Sequence, residues 1–161
     1  MLEFSRIKAI HSPVIFEAEA RDTMTVPTDH LPISLPKGNL RILVADDGKN
    51  AADILAMFFE MEGHTVQVVY DGRMAVEVTP SFQPQLIVMD IGMPEMDGLE
   101  ASRRIREQPD GKEIVIIALS GHDLEQDKRS CAEAGIDHHM AKPVRPDDLR
   151  AVIRGYQQGQ A

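Results

Sequence analysis

The sequence predicts an α/β fold in which five parallel strands form a doubly wound sheet of order 2-1-3-4-5. Two observations carry this prediction. Apolar strand segments alternate five times with helical segments between residues 40 and 156, and unbroken apolar strands are typical of a parallel sheet covered by helices on both faces. Right-handed crossovers then leave few topologies, and five strands suit this order.

The predicted strands are short runs of apolar residues. Leu40–Ala45 and Leu86–Met89 are almost continuously apolar, as expected for buried strands. Thr65–Val69 alternates more, and Asp137–Ala141 is a short fifth strand. Ile114–Leu119 is the most β-branched segment of the chain, a composition that is enriched in strands.

The segments between these strands carry the signals of helices. The first has apolar residues at positions i, i+3, i+4 and i+7 from Ala51 and ends at Gly63. The second begins near Arg73, and Pro80 is expected to end it early, because proline removes a donor and clashes with the preceding turn. The remaining helices are expected over residues 99–107, 123–134 and 149–156.

Composition narrows the class of protein. The formal net charge of −9 argues against direct binding to nucleic acid or anionic lipid. The single cysteine, Cys131, excludes an internal disulfide and a cysteine metal cluster. No apolar run approaches the ~20 residues that span a membrane, and the N-terminus lacks the order of a secretion signal. We therefore expect a cytoplasmic protein that does not insert into membranes.

Residues 1–38 differ in character from the rest of the chain. They contain four of the ten prolines and no sustained helical or strand period. We therefore predict a poorly ordered N-terminal extension or linker over residues 1–38 and one folded domain over residues 39–158.

Polar side chains follow four of the five predicted strands, at the edge where a doubly wound sheet places its functional crevice. In chain order they are Asp46 and Asp47, Asp90, Ser120, and Lys142 followed by Pro143. Three adjacent carboxylates repel one another unless a cation is bound or their pKa values rise. All-oxygen ligands suit Mg²⁺, while a lysine and a hydroxyl can contact phosphoryl oxygens. The set is what phosphoryl transfer to a carboxylate requires.

Each of these residues also has a purely structural explanation when it is taken alone. Asp46 and Asp47 could cap the first helix, a common role for aspartate. Ser120 could cap the fourth helix, and Asp90 and Lys142 could lie in ordinary turns. The conjunction of suitable residue types at four strand ends favours the functional interpretation.

These residues lie in motifs that are similar to a known family. Residues 39–156 resemble the receiver domain of bacterial response regulators, which has a flavodoxin-like fold. The segments that carry the resemblance are ILVADD at residues 42–47, VMDIGMPEMDG at residues 88–98, ALSG at residues 118–121 and AKP at residues 141–143.

The resemblance implies a role for each site residue. Asp90 accepts a phosphoryl group from a phosphohistidine on a sensor histidine kinase or histidine phosphotransfer protein. Asp46, Asp47 and Asp90 bind Mg²⁺ together with the backbone carbonyl of Gly92. Ser120 and Lys142 contact the phosphoryl group, and the peptide before Pro143 is cis. These roles make the chain a phosphorylation-dependent switch, catalysing only its own phosphorylation and slow dephosphorylation, rather than an enzyme.

One position departs from the family pattern. Three residues before Lys142 the family usually has the Tyr or Phe that swings inward on activation, whereas this chain has His139, preceded by His138. Two interpretations remain open: His139 is a rotamer or protonation switch, or it is a partly exposed polar residue at a partner surface. A histidine-pair metal site has no visible third ligand.

The output is expected to be protein binding. The run DHHMAKPV at residues 137–144 resembles receivers of hybrid sensor kinases, and the fourth helix, fifth strand and fifth helix form the expected face for a downstream partner or a dimer. One alternative is a pseudo-receiver, a phosphorylation-independent protein-binding module. Another is a hydrolase with an aspartyl-phosphate intermediate, but such enzymes usually place a second acid where this chain has Gly92.

Overall fold

The computed structural model of the protein describes residues 33–121 and 124–159. Within these described residues, five strands and five helices alternate. The strands are β1 Arg41–Ala45, β2 Thr65–Val69, β3 Leu86–Asp90, β4 Val115–Ser120 and β5 His138–Ala141. The helices are α1 Lys49–Met61, α2 Gly72–Phe82, α3 Gly98–Glu107, α4 Leu124–Glu133 and α5 Pro146–Gln158, and a short 3₁₀ turn covers Gly111–Glu113.

The strands form one parallel sheet in the order β2-β1-β3-β4-β5. This confirms the predicted fold class and topology. The start predicted for α4, Asp123, lies outside the described residues. In the part of the chain that the structure describes, no helix is both long and apolar enough to cross a membrane.

The sheet separates two apolar cores, because alternate residues of each strand point to opposite faces. In β1, Leu43 packs on the side of α2, α3 and α4, while Ile42 and Val44 pack on the side of α1 and α5. All five residues of β3 and all six of β4 are buried. Burial on both faces explains why these segments are continuously apolar rather than alternating.

Helix α2 corrects one prediction: Pro80 lies inside the helix, which continues to Phe82. A proline at position 80 cannot donate to the carbonyl of Val76, its partner four residues earlier. The side chain of Gln108, at the end of α3, supplies the missing donor, with Nε2 lying 2.9 Å from that carbonyl oxygen. The helix therefore passes Pro80 and ends at Phe82, where the following residue, Gln83, has a left-handed φ of 50°.

Residues 33–38 belong to the segment predicted as an extension, and they pack against the end of α5. Leu35 is 3% exposed and joins the core on the side of α1 and α5. Its backbone N–H donates to the carbonyl of Tyr156 at 3.0 Å, and Gln157 Nε2 donates to the carbonyl of Pro36. The boundary at residue 39 stays a prediction, since residues 1–32 lie outside the described residues.

Candidate functional site

Three carboxylates meet at the carboxyl edge of the sheet. Asp46 follows β1 directly, Asp47 is the next residue, and Asp90 ends β3. One oxygen of each lies within 4.8 Å of the others. Asp46 is 2% and Asp90 5% exposed, whereas Asp47 is exposed. Two buried acids and one exposed acid therefore lie together at this edge of the sheet.

The acids do not serve as caps of α1. The N-cap residue of that helix is Gly48, which makes no side-chain cap hydrogen bond. Asp46 Oδ1 instead accepts from the backbone N–H of Gly48 at 2.8 Å, a bond that leaves its other oxygen directed to the site. The alternative explanation of Asp46 and Asp47 as helix caps is therefore wrong.

Lys142 reaches into the carboxylate cluster from the end of β5. Its Nζ lies 2.9 Å from Asp46 Oδ2 and 3.2 Å from Asp90 Oδ1. Burial alone would lower the pKa of Lys142, but the hydrogen bond to Asp46 and the attraction of Asp90 outweigh it, so the net pKa is raised. The ammonium is held charged between two buried acids.

Burial dominates the electrostatic environment of the Asp90 carboxylate. Burial raises its pKa, an effect opposed by the backbone N–H of Gly92, which donates to Oδ1 at 3.1 Å, and by Lys142, and reinforced by Asp46. A carboxylate that is poorly solvated and repelled by a neighbouring acid gains from added positive charge. The donor set is all oxygen, and so the residues present fit a hard divalent cation such as Mg²⁺.

Ser120 and His139 meet beside the acids. Ser120 ends β4 and is 3% exposed, and its Oγ lies 2.8 Å from His139 Nε2 on the adjacent strand β5. Burial lowers the pKa of His139, with Asp127 opposing this and Lys128 adding to it. The His139 ring thus contacts Ser120 on the neighbouring strand, and its role as a switch or as part of a partner surface stays a prediction.

The last of the expected residues lie on loops at the same edge. The peptide between Lys142 and Pro143 is cis, the isomer that the resemblance implies. Gly92 contributes its N–H to Asp90, and the role of its carbonyl towards a metal stays a prediction. The structure thus brings together Asp46, Asp47, Asp90, Ser120, Lys142 and His139.

Two glycines without a predicted role allow close backbone contacts near the site. A Cβ on Gly98 would lie 2.2 Å from the carbonyl oxygen of Asp90, and a Cβ on Gly72 would lie 2.3 Å from that of Met96. Side chains at these positions would displace the β3–α3 loop that follows Asp90. In the sequence, the Asp-Gly pair at residues 97–98 could have indicated the role of Gly98, since Asp97 caps α3 and Gly98 begins it.

Comparison with known families agrees with this geometry. A family model described as the response regulator receiver domain matches residues 42–154, which is well over half of the chain. The chain belongs to the response regulator receiver domain family. It is therefore a receiver domain of two-component signalling.

Solved and curated relatives support the assignment. The receiver domain of sensor histidine kinase PA1611 from Pseudomonas aeruginosa, crystallised with a magnesium ion in its active site cleft, is 29% identical with a TM-score of 0.69, covering 75% of this chain and 99% of that one. An uncharacterized 14.6 kDa protein of Leptolyngbya boryana is 36% identical over 71% of this chain and 88% of its own length. Response regulator MprA of Mycobacterium ulcerans is 33% identical over 72% of this chain. The match spans 49% of MprA, or about half of that relative's length.

Proposed function

We propose that Asp90 accepts a phosphoryl group, in a Mg²⁺-dependent reaction, from a phosphohistidine on a sensor histidine kinase or a histidine phosphotransfer protein. The observation that carries the proposal is the position of Asp90. Its carboxylate is buried, lies within 4.8 Å of two further carboxylates and is 3.2 Å from the ammonium of Lys142. A nucleophile, a cation site and a neutralising charge are the parts that phosphoryl transfer needs.

The chemistry follows from these groups. An oxygen of Asp90 attacks phosphorus, the P–N bond of the donor breaks, and its electron pair returns to the donor imidazole. Lys142 pairs with a phosphoryl oxygen, and the Ser120 hydroxyl donates to another. When bound by Asp46, Asp47, Asp90 and the Gly92 carbonyl, Mg²⁺ supplies the charge that offsets the acids and the incoming phosphoryl oxygens.

The two kinds of donor that we propose are taken from the names of structural neighbours. PA1611 is itself a sensor histidine kinase. A further structural neighbour, the receiver domain of yeast Ssk1, was crystallised with the histidine phosphotransfer protein Ypd1, although its 24% identity shows the fold alone. For this chain we propose a donor of the same two kinds, and an output in which the face of α4, β5 and α5 binds a protein partner or a second copy of the chain.

Phosphotransfer from a labelled donor tests the proposal. A histidine phosphotransfer protein carrying ³²P-phosphohistidine is mixed with this protein, with Mg²⁺ or with a chelator, and label on each chain is followed over time. We expect label to move to this chain only with Mg²⁺ and not to move to Asp90→Asn. Folded protein that binds Mg²⁺ but takes no label from any donor or from acetyl phosphate would favour the alternative, a pseudo-receiver that binds its partner without phosphorylation.

A further inference from the structure

The contact between Ser120 and His139 restricts which of the two side chains can donate a hydrogen bond to the other. The two residues stand on neighbouring parallel strands, with Ala118 paired to His139 and Ser120 paired to Ala141. Ser120 is 3% exposed, and the distance from its Oγ to His139 Nε2 is 2.8 Å. At that distance the two atoms share one hydrogen atom in a normal hydrogen bond.

Two arrangements of that hydrogen atom are possible. In the first, the Ser120 hydroxyl donates to an unprotonated Nε2. In the second, Nε2–H donates to the hydroxyl oxygen. A serine has a single hydroxyl proton, so Ser120 can donate to a phosphoryl oxygen only in the second arrangement if the contact with His139 persists.

We propose that His139 is a positioning residue for Ser120: in the phosphorylated protein its Nε2–H donates to Ser120 Oγ and turns the hydroxyl proton towards the phosphoryl oxygen. The proposal rests on the proposed function, because it requires a phosphoryl group on Asp90. The Ser120 hydroxyl keeps its proton and only rotates, while the imidazole exchanges protons with water. A neutral ring that carries its proton on Nδ1 loses it to water there and gains one at Nε2, so the proton count is unchanged.

The surroundings of His139 favour a neutral ring before phosphorylation. Burial lowers its pKa, and Lys128 of α4 acts in the same direction, while Asp127 of α4 opposes both. The neighbouring His138 has a pKa that burial lowers, and His139 adds to that effect. Successive residues of a strand point to opposite faces, so His138 offers a matched control that shares the strand but not the contact with Ser120.

Histidine side-chain NMR tests the proposal directly. The protein labelled with ¹⁵N-histidine is recorded with Mg²⁺ alone and with Mg²⁺ and beryllofluoride, whose ¹⁹F signal reports an adduct on Asp90. We expect Nε2 of His139 to carry a proton in the adduct. An adduct with Nε2 unprotonated would overturn the role of His139 and leave the role of Asp90 intact. No adduct in Mg²⁺-bound protein would overturn the proposed function and this inference with it.

Variants of His139 distinguish a role as hydrogen-bond donor to Ser120 from a role in packing alone. Gln places an amide N–H where Nε2 stood and does not titrate, whereas Phe offers no donor. In phosphorylation by acetyl phosphate, His139→Phe should lower the rate about fivefold, the effect of one lost hydrogen bond. His139→Gln and His138→Gln should stay near wild type. In a Ser120→Ala background, His139→Phe should cause no further loss. An equal loss in both backgrounds would show that His139 does not act through Ser120 and would overturn the proposal.

Discussion

The Nζ of Lys142 lies 3.2 Å from Oδ1 of Asp90, and the same atom lies 2.9 Å from Oδ2 of Asp46. The ammonium of Lys142 therefore forms ion pairs with two of the three carboxylates that we propose as Mg²⁺ ligands. It neutralises the buried acids but also competes with a cation for them. Lys142 should therefore weaken the binding of Mg²⁺ but speed the phosphorylation of Asp90.

Replacing Lys142 separates these effects. Lys142→Met keeps most of the stem and removes the charge, so Mg²⁺ should bind more tightly, about fivefold by calorimetry, because the acids lose their internal cation. Phosphorylation of Asp90 by acetyl phosphate should fall at least about tenfold, since a charge-assisted contact to the phosphoryl group is lost. Weaker Mg²⁺ binding in Lys142→Met would show that the lysine orders the acids rather than competing for them.

Gly98 should be intolerant of any side chain. The Cβ of Gly98→Ala would lie 2.2 Å from the Asp90 carbonyl oxygen and 2.9 Å from Ile91 Cα, both backbone atoms that cannot move without shifting the site. We expect a loss of about 3 kcal/mol in the free energy of unfolding and weakened Mg²⁺ binding. Denaturant unfolding and calorimetry measure the two effects.

Gly155 provides the matched control for that substitution. It lies inside α5, and a Cβ there would meet no atom within 4 Å. Gly155→Ala should therefore stabilise the protein by about 0.5–1 kcal/mol, through helix propensity alone. A Gly98→Ala variant as stable as Gly155→Ala would contradict the packing that we describe around Asp90.

The bond from Gln108 to the Val76 carbonyl should depend on Pro80. Gln108→Ala removes the donor and should cost about 1 kcal/mol, because a carbonyl inside α2 loses its partner. In a Pro80→Ala background residue 80 regains its N–H and can bond to Val76 itself, so the same change should cost much less. Chemical denaturation of the four proteins in this double-mutant cycle gives the coupling free energy. A coupling near zero would mean that Gln108 does not replace the missing donor.

His64 should make the protein sensitive to mild acid. Its Nδ1 accepts from the backbone N–H of Leu40 at 3.2 Å, and burial lowers its pKa from the ordinary value of 6.5, with Glu62 opposing. The unfolded chain then binds a proton that the folded chain resists, so this stabilisation is present above pH 6.5 and is lost as the pH falls below it.

Replacing His64 with asparagine isolates the effect of histidine protonation on stability. In His64→Asn the Oδ1 can accept from Leu40 without titrating, so the drop in the thermal midpoint between pH 7.5 and pH 5.5, two values that bracket the ordinary histidine pKa, should be smaller than in wild type. Identical drops in the two proteins would show that His64 does not control the acid sensitivity.

The sequence was sufficient to predict the site residues that directly follow strands of the parallel sheet. Asp46, Asp90, Ser120 and Lys142 follow strands whose carboxyl ends share one edge, so their convergence could be predicted from strand ends alone. The contact between Ser120 and His139 could not, because it depends on the register of β4 against β5, which no local pattern specifies.

Long-range partners also explain the failed prediction at Pro80. The rule that proline ends a helix considers the chain near the proline, whereas the donor that replaces its N–H comes from Gln108, 32 residues after Val76. The need for Gly98 is similar, since its neighbour across the loop is the backbone of Asp90. In both cases the deciding atom lies on another element.

Intact-mass analysis after incubation with acetyl phosphate and Mg²⁺ tests the role of Asp90 most directly. We expect a single phosphoryl adduct that requires Mg²⁺, disappears in Asp90→Asn and is retained, at a lower rate, in Ser120→Ala. An unmodified mass for folded, Mg²⁺-bound protein, or an adduct that persists unchanged in Asp90→Asn, would contradict the assignment of Asp90 as the phosphoryl acceptor.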